Sequence, residues 1–204
     1  KMLTRSIQQA QTTVESRNFQ SRKSVLEYDD VMNKQREIIY QQRREVLDGK
    51  DLKDTILSMT RNAIADHVAM VFGEAQALDA AGCREMLRGL EGLYFPKDTF
   101  QFTEDDAADK TQQDFTDLFT AAAADYYAKK EAEITPPVMR ELERVILLRV
   151  VDEYWMEHID AMQDLRQGIR LRAYAQTNPV DAYKKESLEM FEEMVNAMKE
   201  ETVR

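Results

Sequence analysis

From Thr4 to Leu47 neither glycine nor proline interrupts the chain, and apolar residues recur at Ile7, Ala10, Val14, Val25, Tyr28, Met32, Ile39 and Val46. Steps of three, four and seven mark one stripe of a helix, so the pattern predicts a single helix on the order of 65 Å long with a buried face. Asn18 and Ser21 break the stripe and Gln35 intrudes on it, while Phe19 with Leu26, and Val31 with Ile38, open two further faces. A beam touched from several sides fits this pattern better than a homodimeric coiled coil, which needs one clean seam flanked by charges. A freestanding helical adaptor dimerising through the Ile7 to Val46 seam is the alternative.

Gly49-Lys50-Asp51 ends the beam, and a second stripe follows at Leu52, Ile56, Met59, Ala63, His67 and Met70. Residues 73–111 hold Gly73, Gly82, Gly89, Gly92 and Pro96, a composition of short helix and loop. Residues 112–134 return to helix, with Phe115, Leu118, Phe119, Ala122 and Tyr126 on one side. Residues 50–135 thus read as a small helical subdomain inserted after the beam. Pro136-Pro137 starts a new helix, expected over 138–166, because proline is tolerated in the first turn and pre-sets its dihedral. Its run Val145 to Val151 is apolar nearly all round and is expected to pack on most sides, against the beam. Asn178-Pro179 then offers a capping side chain and a first-turn proline to a final helix. That helix carries Tyr183, Met190, Met194 and Met198 on one face, with Leu188, Phe191 and Val195 beside it. The last two helices can pair antiparallel across a loop of about ten residues. The fold class is all-α: one very long helix, an inserted helical subdomain and a C-terminal two-helix hairpin.

The tip of that hairpin, Asp164-Leu-Arg-Gln-Gly-Ile-Arg-Leu-Arg-Ala-Tyr174-Ala-Gln-Thr-Asn178-Pro179, reads as a basic, tyrosine-tipped turn. The chain carries a formal net charge of -10, so Arg166, Arg170 and Arg172 make a local positive spot against the field, which suggests a contact surface. The same overall charge argues against a nucleic-acid partner. With 204 residues, 43% of them apolar, the chain can fill a helical core. A single cysteine, Cys83, rules out an internal disulfide framework and fits a reducing compartment. No apolar run approaches the roughly 20 residues that span a bilayer, so the expected location is cytoplasmic, with any membrane association peripheral. The chain opens at Lys1 inside a helical pattern with no initiator methionine, as an excised piece of a larger protein would.

Signals of catalysis are weak. The chain contains neither Gly-x-x-x-x-Gly-Lys-Ser/Thr nor Gly-x-Gly-x-x-Gly, the usual cradles for nucleotide phosphate. His67 and His158 are the only histidines, and neither sits in a metal-binding spacing. His158 lies beside Glu157 and near Asp152, but neighbours on a helix diverge by about 100°, so an acid-base pair is not built by spacing alone. His67 falls on its helix's apolar stripe and reads as a core or boundary residue. Cys83 follows a glycine in a loop-like region and reads as a small, semi-buried apolar residue. Tyr28-Asp29-Asp30 with Arg36 and Arg43 one and two turns away suggests a docking or salt-bridged face.

Glu15-Ser-Arg-Asn-Phe-Gln-Ser-Arg-Lys-Ser-Val-Leu-Glu-Tyr-Asp-Asp-Val-Met-Asn-Lys-Gln-Arg-Glu-Ile-Ile-Tyr40 closely resembles the long scaffold helix of the SecA family, motors of bacterial preprotein translocases. The resemblance continues in Met139-Arg-Glu-Leu-Glu143, in Trp155-Met-Glu-His-Ile-Asp-Ala-Met162, in Leu165 to Pro179 and in Tyr183-Lys-Lys-Glu-Ser187. Between residues 50 and 135 it rests on position, length and helical character. It implies a scaffold helix over 1–49, a helical wing over 50–135, and over 136–204 the scaffold return and a two-helix finger. It further implies a finger tip inserted at the mouth of the SecY channel, where Tyr174, with Arg170, Arg172 and Gln176, meets the translocating preprotein. Asp29, Asp30 and Arg36 become the expected contact with the nucleotide-binding motor domains. On this resemblance the chain is not itself an enzyme and holds no cofactor. ATP and magnesium belong to the parent's motor domains, the family's zinc tail is missing, and the location is the inner face of the bacterial membrane. Self-association through the exposed Phe19 and Leu26 faces is also expected.

Overall fold

The computed structural model describes residues 2–49, 51–73, 75, 78–103, 110–172 and 178–204, with the backbone alone for 170–172. The helices are α1 (Met2–Leu47), α2 (Lys53–Phe72), α3 (Ala80–Leu90), α4 (Gln112–Ile134), α5 (Pro136–Arg172) and α6 (Pro179–Thr202). Among the described residues there is no strand, only an isolated bridge between Glu91 and Phe95. The fold class is all-α, as the periodicity and composition predict.

Local chemistry explains most of the boundaries. Asp79 Oδ1 accepts the Gly82 N–H at 2.7 Å to cap α3. Thr111 and Asp114 cap α4 reciprocally, and the hydrogen bonds from Thr111 hold the Asp114 carboxyl below its ordinary range. Asn178 Oδ1 accepts the Val180 N–H at 3.1 Å at the start of α6, the capping role the Asn-Pro pair predicts. α5 begins at the proline pair but extends beyond the expected residue 166 to Arg172, so Arg166 belongs to a helix rather than a turn. Gly168 does not stop it, because a single helical glycine costs only about 1 kcal/mol relative to alanine.

The chain forms two compact units. One comprises Lys1–Arg44 with Glu153–Val195, and the other Glu45–Asp152 with Asn196–Arg204. In the first, Tyr28 of α1 meets Met162 and Ile169 of α5 and Val180 and Tyr183 of α6 in one buried cluster. Ile169 lies with Val180 and Tyr183, whereas His158 touches Phe191, so numbering rises on α5 as it falls on α6 and the pair is antiparallel. The expected buried stripe of α1 is only half realised. Tyr28, Gln35, Ile39 and Val46 are buried, but Ile7 and Val14 are exposed, as are Phe19 and Leu26. A stripe declares which face is apolar, and burial requires a partner opposite it.

The second unit is built on Ile64, Val68 and Phe72 of α2, Cys83, Met86, Leu87 and Leu90 of α3, and Phe115, Phe119 and Ala123 of α4. Phe119 stacks on Phe95 and Phe115 and takes Phe100 and Phe102 edge-on. Leu52 and Ile56 of the expected stripe are buried, but from Ile64 onward the face α2 buries is turned by about one residue step, roughly 100°, from it. Met70, placed on that stripe, is 70% exposed, because α4 presents its phenylalanines to the Ile64-Val68-Phe72 side instead. Cys83 lies inside α3 and is fully buried, not semi-buried in a loop. Val145 and Ile146 are exposed although Leu147, Val150 and Val151 are buried, so the apolar run is not enclosed on most sides. Consecutive apolar residues circle a helix, and neighbours on one side cannot cover all of them.

A charged joint ties the start of α2, the end of α4 and the start of α5. Arg140 donates to Asp51 at 3.1 Å, to Glu131 at 2.5 Å and to the Tyr127 hydroxyl. Lys53 also donates to Glu131, at 2.6 Å. Glu143, 6% exposed, accepts from Tyr127 and lies 3.3 Å from the Arg140 guanidinium. Burial, then the hydrogen bond to Glu143, pushes the Tyr127 hydroxyl far above the ordinary tyrosine range.

Candidate functional site

In the first unit, α1 residues 29–36 and α5 residues 159–167 border an open groove of about 650 Å³. Met32, Ile159, Met162 and Tyr183 supply its apolar lining, and Asp29, Asn33, Arg36, Gln163, Arg166 and Gln167 its polar one. Tyr28 and Tyr183 meet edge to face beside it, their ring centroids 4.7 Å apart. The Arg166 guanidinium lies 5.8 Å from the Tyr28 ring centroid and donates to Asp29 Oδ1 at 3.0 Å.

Of the residues expected to face a motor domain, Asp29 and Arg36 share this groove. Asp30 does not line it, and pairs along the helix with Lys34 at 2.9 Å. The expected helix-local partners, Arg36 and Arg43, are replaced for Asp29 by Arg166, 137 residues away. Arg36 instead donates to Asn33 Oδ1 at 3.3 Å. Arg166 thus spends part of its charge on Asp29, so the basic spot is weaker than the sequence suggests. Arg170 and Arg172 have their backbones in α5, with side chains outside the description, and Tyr174 and Gln176 lie outside the described residues.

Mixed charges, side-chain amides and a methionine-tyrosine floor suit a contact surface better than proton transfer. His158 does not line this groove. It is 4% exposed, with Trp155 and Phe191 rings at 5.6 and 5.7 Å, and burial pushes its imidazole below the ordinary histidine pKa. Gln35 Nε2 donates to the Ser187 carbonyl at 3.0 Å, which leaves Gln35 Oε1 to accept from His158 Nε2–H at 3.0 Å. The network therefore assigns the Nε2–H tautomer. Glu157 is exposed while His158 is buried with its Nε2 on Gln35, so this neighbouring pair is split between surface and core.

Sequence reasoning took Gln35 as a flaw in the α1 stripe, and it is the centre of the buried polar contact. Its place seven residues after Tyr28 and four before Ile39 was the available signal, since a polar residue in register with a buried stripe needs a partner. His67 is a boundary residue as expected: its Nε2 lies 3.1 Å from the Met86 carbonyl oxygen, and its ring fills the space beside Gly89. Among the described residues no group of three or more His, Cys, Asp or Glu is placed to hold a metal ion, and no helix is long and apolar enough to cross a membrane.

Over residues 1–204 the chain matches the family model described as SecA Wing and Scaffold domain. Across its whole length it is 46% identical to the protein translocase subunit SecA of Clostridium novyi, covering 24% of that protein. It is 47% identical over its whole length to the same subunit of Acetivibrio thermocellus, covering 22% of it, and 47% identical to that of Alkaliphilus oremlandii, covering 23%. The chain thus spans under a quarter of the length of these curated relatives. With full-length matches of this identity, on an all-α chain led by one 46-residue helix, the chain belongs to the SecA wing and scaffold family.

Proposed function

We propose that this chain is the non-catalytic, polypeptide-handling arm of a SecA protein translocase. In this reading α1 receives the ATP-driven movement of motor domains elsewhere in the longer protein. The hairpin of α5 and α6 passes that movement to a preprotein at the cytoplasmic mouth of the SecY channel, and the arm regulates ATP turnover in return. ATP and magnesium bind in the motor domains, not here, and the assembly works at the inner face of the bacterial membrane. The observation that carries the reading is the match to protein translocase subunits along the entire chain at 42–47% identity. Two features of the molecule support it. In sequence, the segment joining α5 to α6 includes Tyr174, an aromatic residue able to grip side chains of many kinds without reading sequence, with Arg170, Arg172 and Gln176 beside it. The exposed Ile7, Val14, Phe19 and Leu26 of α1 offer apolar surface for motor domains to cover, and Asp29 and Arg36 offer polar contacts.

The test is Tyr174→Gly in the longer translocase, with SecY vesicles and a labelled preprotein. Retained folding and ATP hydrolysis with lost translocation is expected, and wild-type translocation overturns the tip assignment. Titrating this chain into the separately produced nucleotide-binding portion tests regulation, with saturable binding and altered ATP turnover expected. The exposed Ile7 and Val14 also favour a second reading, an adaptor dimerising through the Ile7 to Val46 seam. A mass by light scattering that stays monomeric at every concentration disposes of it.

A further inference from the structure

Among the described residues, the buried polar side chains of the first unit are Gln35 on α1, His158 on α5 and Ser187 on α6, one from each helix. The first two meet at the Ser187 main chain, while the Ser187 hydroxyl donates to the Lys184 carbonyl. His158 Nε2–H donates to Gln35 Oε1, and Gln35 Nε2–H donates to the Ser187 backbone carbonyl, each at 3.0 Å. The rest of the seam is apolar and rich in methionine: Met32, Met162, Met190 and Met194 accompany Tyr28, Ile169 and Tyr183. Methionine repacks readily, so such a seam specifies the axial position of one helix on another only weakly. A hydrogen bond in a dry interior is directional, and losing it leaves a buried donor with nothing to bind.

We propose that Gln35 and His158 are positioning residues that lock the hairpin of α5 and α6 to one axial register on α1. On α1 the buried-face positions one turn from Gln35 are Met32 and Ile39, neither of which offers a hydrogen-bond partner. A slip of one helical turn, about 5.4 Å, therefore orphans the His158 donor, whereas the Gln35 amide, whose acceptor is a main-chain carbonyl, meets another one turn along α6. That orphaned donor disfavours the slipped state by roughly 5-fold at the low end of its usual penalty. The ion pair of Arg166 with Asp29, side chains 34% and 51% exposed, adds little to this discrimination. A single buried polar contact is a well-attested way to fix register in helical seams. On the function proposed above, the segments of α5 and α6 flanking residues 173–177 then travel with residues 28–39 of α1 as one body and do not slide along them.

The experiment reads register directly, on the whole chain with Cys83→Ala and spin labels at the exposed Glu37 and Lys184 positions, by pulsed electron-electron distance measurement. The parent is expected to give one narrow distance. Gln35→Leu/His158→Phe removes both partners together, and is expected to stay helical while gaining a second distance population or a clearly broadened one. One unchanged narrow distance in that folded variant overturns the lock. Should the double variant not fold, His158→Gln is compared with His158→Phe. Glutamine keeps a donor and is expected to retain the narrow distance, phenylalanine to broaden it, and identical distributions overturn the proposal. No translocase activity enters the readout, so the lock stands or falls separately from the proposed function.

Discussion

Arg140→Met removes the cation that joins α2, α4 and α5, and the structure sets the size of the effect. Glu131 keeps Lys53 at 2.6 Å, but the 6% exposed Glu143 is left with the Tyr127 hydroxyl alone. Its Oε2 already has no hydrogen-bond partner among the described residues. Removing one member of a buried ion pair costs about 3–5 kcal/mol, because the remaining charge keeps its desolvation penalty. Part of this is offset. Arg140 Nε is itself buried without a partner, a state worth about 1–3 kcal/mol that the substitution relieves, and methionine retains much of the aliphatic stem packing. The net loss is about 2 kcal/mol, a sizeable share of the roughly 5–15 kcal/mol that holds a typical domain together. Urea denaturation followed by circular dichroism measures it. Arg140→Met/Glu143→Gln is expected to recover more than half, because a neutral amide still accepts from Tyr127. A loss below about 1 kcal/mol, or no recovery in the double variant, refutes the assignment of a buried charge held by Arg140.

Three further outcomes are expected. Gly89→Ala places a Cβ 2.1 Å from His67 Cε1, so the ring must leave Met86; the loss is about 1–2 kcal/mol net of alanine's helix preference, and His67→Ala in the same chain restores it, both by thermal denaturation. Cys83, buried in α3 with its thiol pushed up by burial, reacts with a disulfide reagent only through opening of the fold, so its rate in native buffer falls at least about 100-fold below that in urea. Burial lowers the folded pKa of His158 below its ordinary 6.5, so its unfolded form binds the proton first. Its contribution is complete above that pH and is lost as pH falls through the window down to the folded pKa, by at most about 1.4 kcal/mol per pH unit. Urea midpoints at successive pH values should show this slope, and His158→Gln should flatten it.

The sequence reached far along the backbone and less far into the site. It grouped Asp29, Asp30 and Arg36 as one contact on α1, and the groove is lined by Asp29 and Arg36 but not by Asp30. It could not pair Asp29 with Arg166, or Gln35 with His158 and Ser187, because those partners lie more than a hundred residues apart and meet only when α5 and α6 reach α1.

Local chemistry by itself determined where the helices run. An uninterrupted Thr4 to Leu47 allowed α1, Thr111 with Asp114 opened α4, the proline pair at 136 began α5, and Asn178-Pro179 capped α6. Each of these depends on atoms within a few residues, so the sequence carries the whole cause. Tertiary structure alone decided which apolar faces are covered. The Ile7 and Val14 end of the α1 stripe is exposed while the Tyr28 to Ile39 end is buried, α2 turns Ile64 and Phe72 inward and leaves Met70 outside, and a glutamine sits where the stripe called for an aliphatic. Burial is a property of two surfaces, and a chain read one residue at a time displays only one of them.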